Sequence, residues 1–361
     1  MRIAMLLPSL ANKGPIIMAR NLVNEIVKSN KATIEVFYFD DIQEIVFDCP
    51  VHRIVSLKEI NIMRFDILHT HLLRPDIKAA LYRRKMRGIK LLSTVHSYMK
   101  EDLRNSYGPV MAHLARVIWC CMLSRFDKVV CLSQHMQQYY SPLVKKELLT
   151  YAYNGRRIDG DTAAMAVDTA DLTAINALKE RYKVAGGIGN VTRIKGFEQL
   201  VKMLTVNSSF ALVIIGEGIE RKPLEALAAS LGVADRCLFL GYRANAAAYY
   251  PLFDVYAMTS YSEGMPLVLL EAASYGMPVV CSNIGIFKEL FASDEVVFYP
   301  LYDIKGLSDS MDKAIRERQQ LSGKVKRKFL ENYTAVAMCN RYLALYKSLL
   351  NKTCSAKKIN D

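Results

Sequence analysis

The sequence predicts an α/β protein made of two parallel-sheet halves, and three observations carry that expectation. Short apolar, β-branched runs alternate with amphipathic stretches along the chain, as in strand–helix–strand units with right-handed crossovers. The length of 361 residues exceeds one ordinary α/β domain and suits two. Hydrophobic residues make up 52%, enough to fill two cores.

In the first half the pattern predicts strands over 2–7, 32–39, 67–71, 90–95 and 128–132. Helices are expected over 16–29, 76–86 and 109–125, and Ser133 opens another. The opening apolar run superficially resembles a signal peptide. It is short, Pro8 ends it, and no clear cleavage site precedes Lys13, so it reads as a first buried strand. The longest comparable run, 117–123, is far below the ~18–20 apolar residues of a membrane span.

Residues 151–159 look like the exit from this half, and 159–183 like a linker region with a helix near 172–182. The second half predicts strands over 184–190, 210–216, 237–241, 255–259 and 278–282. Helices are expected over 196–204, 220–231, 244–253 and 266–275, then 304–332, which Ser322-Gly323 could break, and 335–350. The two domains are therefore 1–158 and 184–334, with the helix at 335–350 expected to pack back on the first. The tail after Asn351 is expected to be disordered.

The formal net charge of +13 is lopsided, with +11 on residues 1–158 and +2 on the remainder. A basic first half suits an anionic partner. Lys78, Arg83, Arg84, Lys85, Arg87 and Lys90, with Tyr107, Met111, Ile118 and Trp119 nearby, suit shallow docking on an anionic bilayer. A solvated helix face beside a core helix would read the same way. No nucleic-acid motif is visible, so no nucleic-acid partner is expected. Eight scattered cysteines form no zinc pattern and read as reduced core thiols of a cytoplasmic protein.

Ligands of doubly wound sheets bind in the loops after strands. The strongest such loop is Glu263-Gly264-Met265-Pro266-Leu267-Val268-Leu269-Leu270-Glu271. Pro266 suits a first helical turn, Gly276 the position just past the helix end, and Gly264 a close backbone approach. Free amides at that helix start would face an anion such as a diphosphate. Glu271, inside an apolar helix, needs a partner for its carboxylate. A buried salt bridge would satisfy it as well as a sugar or ribose hydroxyl. A second loop, Gly189-Asn190-Val191-Thr192-Arg193-Ile194-Lys195-Gly196, places two cations before a helix, as a diphosphate or a solvated turn would. The third, Gly216-Glu217-Gly218, is a lone glycine-rich turn after a buried strand.

Glu263 to Glu271 resembles the E-x7-E motif of retaining family 4 glycosyltransferases. Ser260-Tyr261-Ser262 before it and Ala272-Ala273-Ser274-Tyr275-Gly276-Met277-Pro278 after it are similar to that family too. The resemblance is strong over about 185–290 and looser before 155. It implies the GT-B architecture, two Rossmann-like domains facing a central cleft, with a nucleoside-diphosphate sugar as co-substrate, UDP ahead of GDP. No cofactor and no essential metal are implied. Glu263 would contact the donor sugar, the amides of Gly264 to Val268 its sugar and phosphates, and Glu271 the ribose. Lys195 would hold the phosphates. Asn190 stands where the family has an arginine, and Arg193 is the candidate replacement. Gly216 borders the nucleotide, and the loop at Tyr242 and Arg243 reaches the base through backbone groups. Pro15 interrupts a usual pair of glycines, leaving Gly14 as the donor contact. His96 matches a position near the donor sugar, and Asn154-Gly155 the family's ending of the first half. His69 and His71 also end a strand. Asp159-Gly160-Asp161 spells the metal motif of a different glycosyltransferase fold and reads here as a turn.

The expected reaction moves a sugar from nucleoside diphosphate to an acceptor hydroxyl with retention of configuration. The acceptor would be a lipid-linked glycan of cell-surface polysaccharide or O-antigen assembly, met at the inner face of the cytoplasmic membrane. Two other readings share the residues: a GT-B sugar-nucleotide epimerase, and a non-catalytic protein using its basic face on nucleic acid or membrane.

Overall fold

The computed structural model describes residues 1–99, 109–157 and 167–357. The chain divides into two compact units: Met1–Arg157 with Tyr333–Asp361, and Ile158–Asn332.

Unit 1 holds a sheet of β1 (Arg2–Leu7), β2 (Thr33–Tyr38), β3 (Val51–Arg53), β4 (Ile67–His71), β5 (Lys90–Thr94), β6 (Lys128–Cys131) and β7 (Leu149–Tyr151). Their order is β3-β2-β1-β4-β5-β6-β7, and every neighbouring pair is parallel. The winding direction reverses between β1 and β4, which makes a topological switch point there. Ile3 to Leu7 have no exposed surface, so the opening apolar run is an interior strand. The helices are α1 (Gly14–Ser29), α2 (Leu73–Tyr82), α3 (Pro109–Leu123) and α4 (Gln134–Tyr140). Pro15 lies in the first turn of α1, where its missing N–H costs nothing, and left-handed Asn30 ends the helix. Ser133 caps α4 by accepting from the Met136 amide.

Unit 2 opens with α5 (Thr169–Lys179), capped by the Asp168 carboxylate. Its sheet contains β8 (Lys183–Ile188), β9 (Phe210–Ile215), β10 (Cys237–Gly241), β11 (Val255–Met258), β12 (Val279–Ser282) and β13 (Val297–Tyr299), in the order β10-β9-β8-β11-β12-β13. All pairs are parallel and the switch point lies between β8 and β11. Around it pack α6 (Phe197–Val206), α7 (Arg221–Ser230), α8 (Leu267–Ser274), α9 (Gly285–Leu290), α10 (Ile304–Arg316) and α11 (Arg318–Asn332). Leu200, Leu204, Leu212, Ile214, Val255 and Met311 form part of the core between helices and sheet.

The chain then returns to unit 1. The Arg156 amide donates to the Tyr333 carbonyl (2.8 Å), and the Ala335 amide to the Arg156 carbonyl (2.9 Å). A Cβ at Gly155 would lie 2.2 Å from the Thr334 carbonyl oxygen, so only glycine fits this crossing. The last helix, α12 (Ala335–Lys357), sends the Tyr342 and Tyr346 hydroxyls to Thr94 Oγ1 (3.0 Å) and His69 Nδ1 (2.8 Å).

Several expectations are corrected. The segment expected to be disordered after Asn351 continues α12 as far as Lys357. The break in the long helical stretch falls at Glu317, which leaves helical geometry, and Gly323 stays inside α11 with open space around it. Residues 246–252 form a 3-10 helix with Pro251 inside it, not the short α-helix expected over 244–253. Pro266 is the extended residue before α8, not part of its first turn. The three-residue strands β3, β7 and β13 are too short for a readable alternation. Asp159-Gly160-Asp161 and Tyr107 lie outside the described residues. Among the described residues the cysteines are free, and Cys121 is exposed, not buried. No helix among them is long and apolar enough to cross a membrane.

Candidate active site

The loops after β8 and β11 are stitched together at the unit 2 switch point. The Tyr261 amide donates to the Ile194 carbonyl (2.8 Å), Thr259 Oγ1 to the Lys195 carbonyl (3.0 Å), and Gln199 Nε2 to the Thr259 carbonyl (2.9 Å). Gly196 adopts a left-handed φ of 63°, and a Cβ there would sit 2.3 Å from the Thr259 carbonyl oxygen. This close crossing requires glycine and aims the Lys195 side chain toward the β11 loop.

Lys195 Nζ meets Glu263 Oε1 at 2.5 Å, and Ser260 Oγ donates to the same oxygen at 2.7 Å. Lys195 and Glu263 are 18% and 11% exposed, so the pair is largely shielded yet reachable. Among the described residues no hydrogen bond to Oε2 is made. Glu271 is buried in α8, with the Tyr250 hydroxyl 3.3 Å from its Oε2. That hydroxyl also donates to the Val268 carbonyl (2.8 Å). Tyr256 lies fully buried on β11. Burial, then the negative charges of Glu271 and Glu263, push its hydroxyl well above the usual range. Both carboxylates thus act on one patch, although eight positions separate them.

Helix α8 ends as its sequence suggests. Gly276 (φ 66°) and Met277 return their amides to the Ala273 and Ala272 carbonyls. At its other end Gly264, Leu267 and Val268 are partly exposed, while Met265 and Pro266 are buried.

Other expected residues are placed differently. Arg193 sits exposed on the turn before Lys195, close enough for its charge to act on the Tyr261 hydroxyl. The glycine at 216 is needed by the protein's own packing, since a Cβ would lie 1.9 Å from the Gly189 carbonyl oxygen. The Arg243 side chain is committed elsewhere. Its Nε and Nη2 grip Asp171 at 2.7 and 2.9 Å, and its Nη1 donates to the Leu240 and Tyr242 carbonyls. The Tyr249 hydroxyl completes this latch on Asp171 (2.5 Å). Tyr242 beside it is exposed. Gly14 and His96 belong to unit 1, after β1 and β5, and Gly14 has nothing within 4 Å of a would-be Cβ.

Sequence reasoning missed Ser260, Tyr250 and the Asp171 latch. Ser260 had a signal, standing three residues before a loop carboxylate. Asp171 had none, because its partners lie 72 and 78 positions away.

The basic surface of unit 1 also differs from expectation. Trp119 is buried and donates from Nε1 to Asp76 Oδ2 (2.8 Å). Arg83 and Lys90 share Asp127. What α3 exposes instead is an apolar face of Met111, Leu114, Val117 and Ile118. Beside it a hollow of about 440 Å³ is lined by Ala80, Leu81, Arg83, Arg84 and Arg125.

Two parallel-sheet Rossmann-like units, with charged switch-point loops in the second, make the GT-B architecture. Comparison with known proteins agrees. A model described as "Glycosyltransferase Family 4" matches residues 48–159, and one described as "Glycosyl transferases group 1" matches 168–333. The Escherichia coli O-antigen biosynthesis glycosyltransferase WclY is 32% identical, over 98% of this chain and 99% of its own. The E. coli UDP-Gal:alpha-D-GlcNAc-diphosphoundecaprenol alpha-1,3-galactosyltransferase is 26% identical over 62% of this chain and 59% of its own. Among solved structures, Anabaena HepE in complex with UDP and glucose shares the fold, with a TM-score of 0.78, 17% identity, and coverage of 96% and 100%. The chain belongs to the family 4 glycosyltransferases.

Proposed function

We propose that this enzyme transfers a sugar from a UDP-sugar to a hydroxyl of a lipid-linked glycan during O-antigen or related cell-surface polysaccharide assembly. Transfer retains the anomeric configuration and needs no metal or other cofactor. One observation carries the donor half of the reading: the shielded Lys195–Glu263 pair at the switch point. Each charge keeps the other satisfied until a donor arrives. Lys195 then turns to the diphosphate and Glu263 to the sugar hydroxyls, while Glu271 takes the ribose. Lys195, Arg193 and the amides opening α8 supply the positive field that stabilises the leaving diphosphate, a role that metals fill elsewhere. Full-length similarity to WclY supports the acceptor class, and the UDP complex of HepE supports the base. Family membership decides against the epimerase and the non-catalytic binder.

The test is thermal stability with UDP, GDP and their sugars, with and without EDTA. A ligand at a hundred times its Kd adds about 2.7 kcal/mol. UDP should raise the midpoint with EDTA present, and Glu271→Ala should abolish the shift. No shift with any nucleotide at millimolar concentration refutes the donor site.

The same proposal places unit 1 against an anionic membrane. The apolar face of α3 and the arginine-lined hollow beside it combine insertion with charge. Flotation with phosphatidylglycerol vesicles should capture the protein. Ile118→Glu should reduce capture and leave the UDP shift intact. Equal capture by neutral vesicles speaks against it.

A further inference from the structure

Gln199 is 2% exposed and joins the loops after β8, β11 and β13. From the first turn of α6 its Nε2 donates to the Thr259 carbonyl (2.9 Å) and reaches the Gly196 carbonyl (3.4 Å). Its Oε1 accepts from the Tyr299 hydroxyl (3.1 Å), at the end of β13, and from the Tyr302 amide (3.2 Å), just beyond it. One buried amide thus fixes the loop after β13 to the two loops that carry Lys195 and Glu263. All of these residues belong to unit 2.

Tyr302, on that third loop, takes a φ of 68°. This is the left-handed region, which a bulky side chain occupies only under constraint and which glycine adopts freely. Tyr302 is nevertheless 73% exposed, so burial of its ring does not offset the strain. The ring lies on that of Tyr261, with 5.2 Å between centroids and 24° between planes. Tyr261 is half-buried, and the outer face of Tyr302 stays open to solvent.

Tyr261 is itself tethered, its hydroxyl donating to Glu198 Oε1. Burial, then that hydrogen bond, hold the hydroxyl well above its ordinary range, so it keeps its proton and stays the donor. Among the described residues nothing donates to Glu198 Oε2. The result is an open, electron-rich aromatic face with a carboxylate acceptor beside it. A pyranose ring has the complementary chemistry. The C–H groups on one of its faces carry partial positive charge and lie flat on an aromatic ring, and the hydroxyls at its rim donate to a carboxylate. A phosphate would be repelled by Glu198, and a purely apolar partner would leave that carboxylate unmatched.

We propose that the Tyr302–Tyr261 stack is a carbohydrate subsite, on which one pyranose ring of the acceptor glycan lies flat while Glu198 accepts from its hydroxyls. The platform stands on the geometry of unit 2 alone, and assigning its sugar to the acceptor rests on the proposed function.

The test is saturation-transfer NMR on the full chain with the methyl pyranosides of glucose, galactose, mannose and N-acetylglucosamine, each mixed with UDP. At least one glycoside should receive saturation, strongest on the C–H groups of one ring face. Tyr302→Ala should weaken its binding about fivefold, the worth of one aromatic contact, and Tyr302→Phe, which keeps the face, should retain it. Tyr302→Gly should lose the glycoside too, yet its thermal midpoint should equal or exceed that of the unaltered protein, because glycine relieves the backbone. A lowered midpoint would make Tyr302 a structural residue and overturn the proposal. So would saturation of no glycoside, or saturation that survives Tyr302→Ala. UDP reports the donor site separately and should be saturated equally in every variant. UDP signals without glycoside signals sink the platform and leave the donor site standing, and the reverse pattern sinks the donor site alone. UDP signals that vanish with the Tyr302 ring would give that ring to the nucleotide and overturn the proposal.

Discussion

The two units share one strand order around their switch points, β3-β2-β1-β4-β5-β6 and β10-β9-β8-β11-β12-β13. They furnish those points with opposite chemistry. Unit 2 presents an ionised pair, Lys195 and Glu263, with a second carboxylate, Glu271, in the helix behind. Unit 1 presents histidines that burial keeps uncharged. The same backbone thus serves two purposes. Charges facing a loop suit an anionic diphosphate, and neutral imidazoles suit the hydroxyls of a sugar. The fold sets where a ligand can sit, and the side chains after each strand set what it can be.

The largest expected effect comes from removing the cation of unit 2. Lys195→Ala should lower turnover by about 10²–10³, the cost of losing one preorganised donor to the leaving group. Circular dichroism should show the fold retained. A loss in turnover below tenfold would mean that Lys195 serves only Glu263.

Acid should separate the units next. His69, His71 and His96 gain protons on unfolding once pH falls below their free value of about 6.5, since their folded pKa values are depressed. Asp76 works the other way. Burial raises it to about 7, so the folded state binds its proton first, and its contribution is lost as pH rises toward 7. Three histidines against one aspartate leave unit 1 losing about 2–3 kcal/mol per pH unit near pH 5. Unit 2 contains no histidine. One shielded acid-sensitive contribution in unit 2 is the Asp171 latch, where the Arg243 hydrogen bond holds the carboxyl low. That stability persists above about pH 4 and fades only below it. Calorimetry at pH 7 and 5 should show unit 1 melting first at pH 5. Parallel loss from both units would break the contrast.

A smaller effect tests the latch itself. Asp171→Ala removes the partner of a guanidinium that is 30% exposed and of a buried tyrosine hydroxyl. Solvent offsets part of the loss, so about 2 kcal/mol is expected in urea denaturation. The UDP shift in this variant reads whether the latch also holds the loop expected to reach the base: a shift kept whole gives the latch a purely structural role.

Legibility differed between the units in the same way. In unit 2 the site is local in sequence. Glu263, the amides opening α8, Glu271 and Gly276 fall within fourteen consecutive positions, and each has a type that its backbone position demands. In unit 1 the important contacts are remote. His69 finds Tyr346 277 positions away, and Asp76 finds Trp119 43 positions away. Trp119 read as surface because its helix is apolar on every side, and apolar content alone does not say which side meets the sheet. The Arg243 side chain has a partner no local pattern announces, since a guanidinium takes the carboxylate that fits its fork, here one 72 positions away.

By itself, the sequence determined the strand–helix alternation, the two-unit class and the charged loops that open α6 and α8. Those depend on periodicity, on helix punctuation and on glycines at crossings, all set by neighbours along the chain. Only the tertiary structure decided which polar groups are spent on the fold and which remain for chemistry. It assigned Arg243 to Asp171, placed Lys195 on Glu263 and, among the described residues, left one nitrogen of His71 without a partner. The physical reason is that hydrogen bonds and ion pairs act over about 3 Å in space, whatever the separation in sequence.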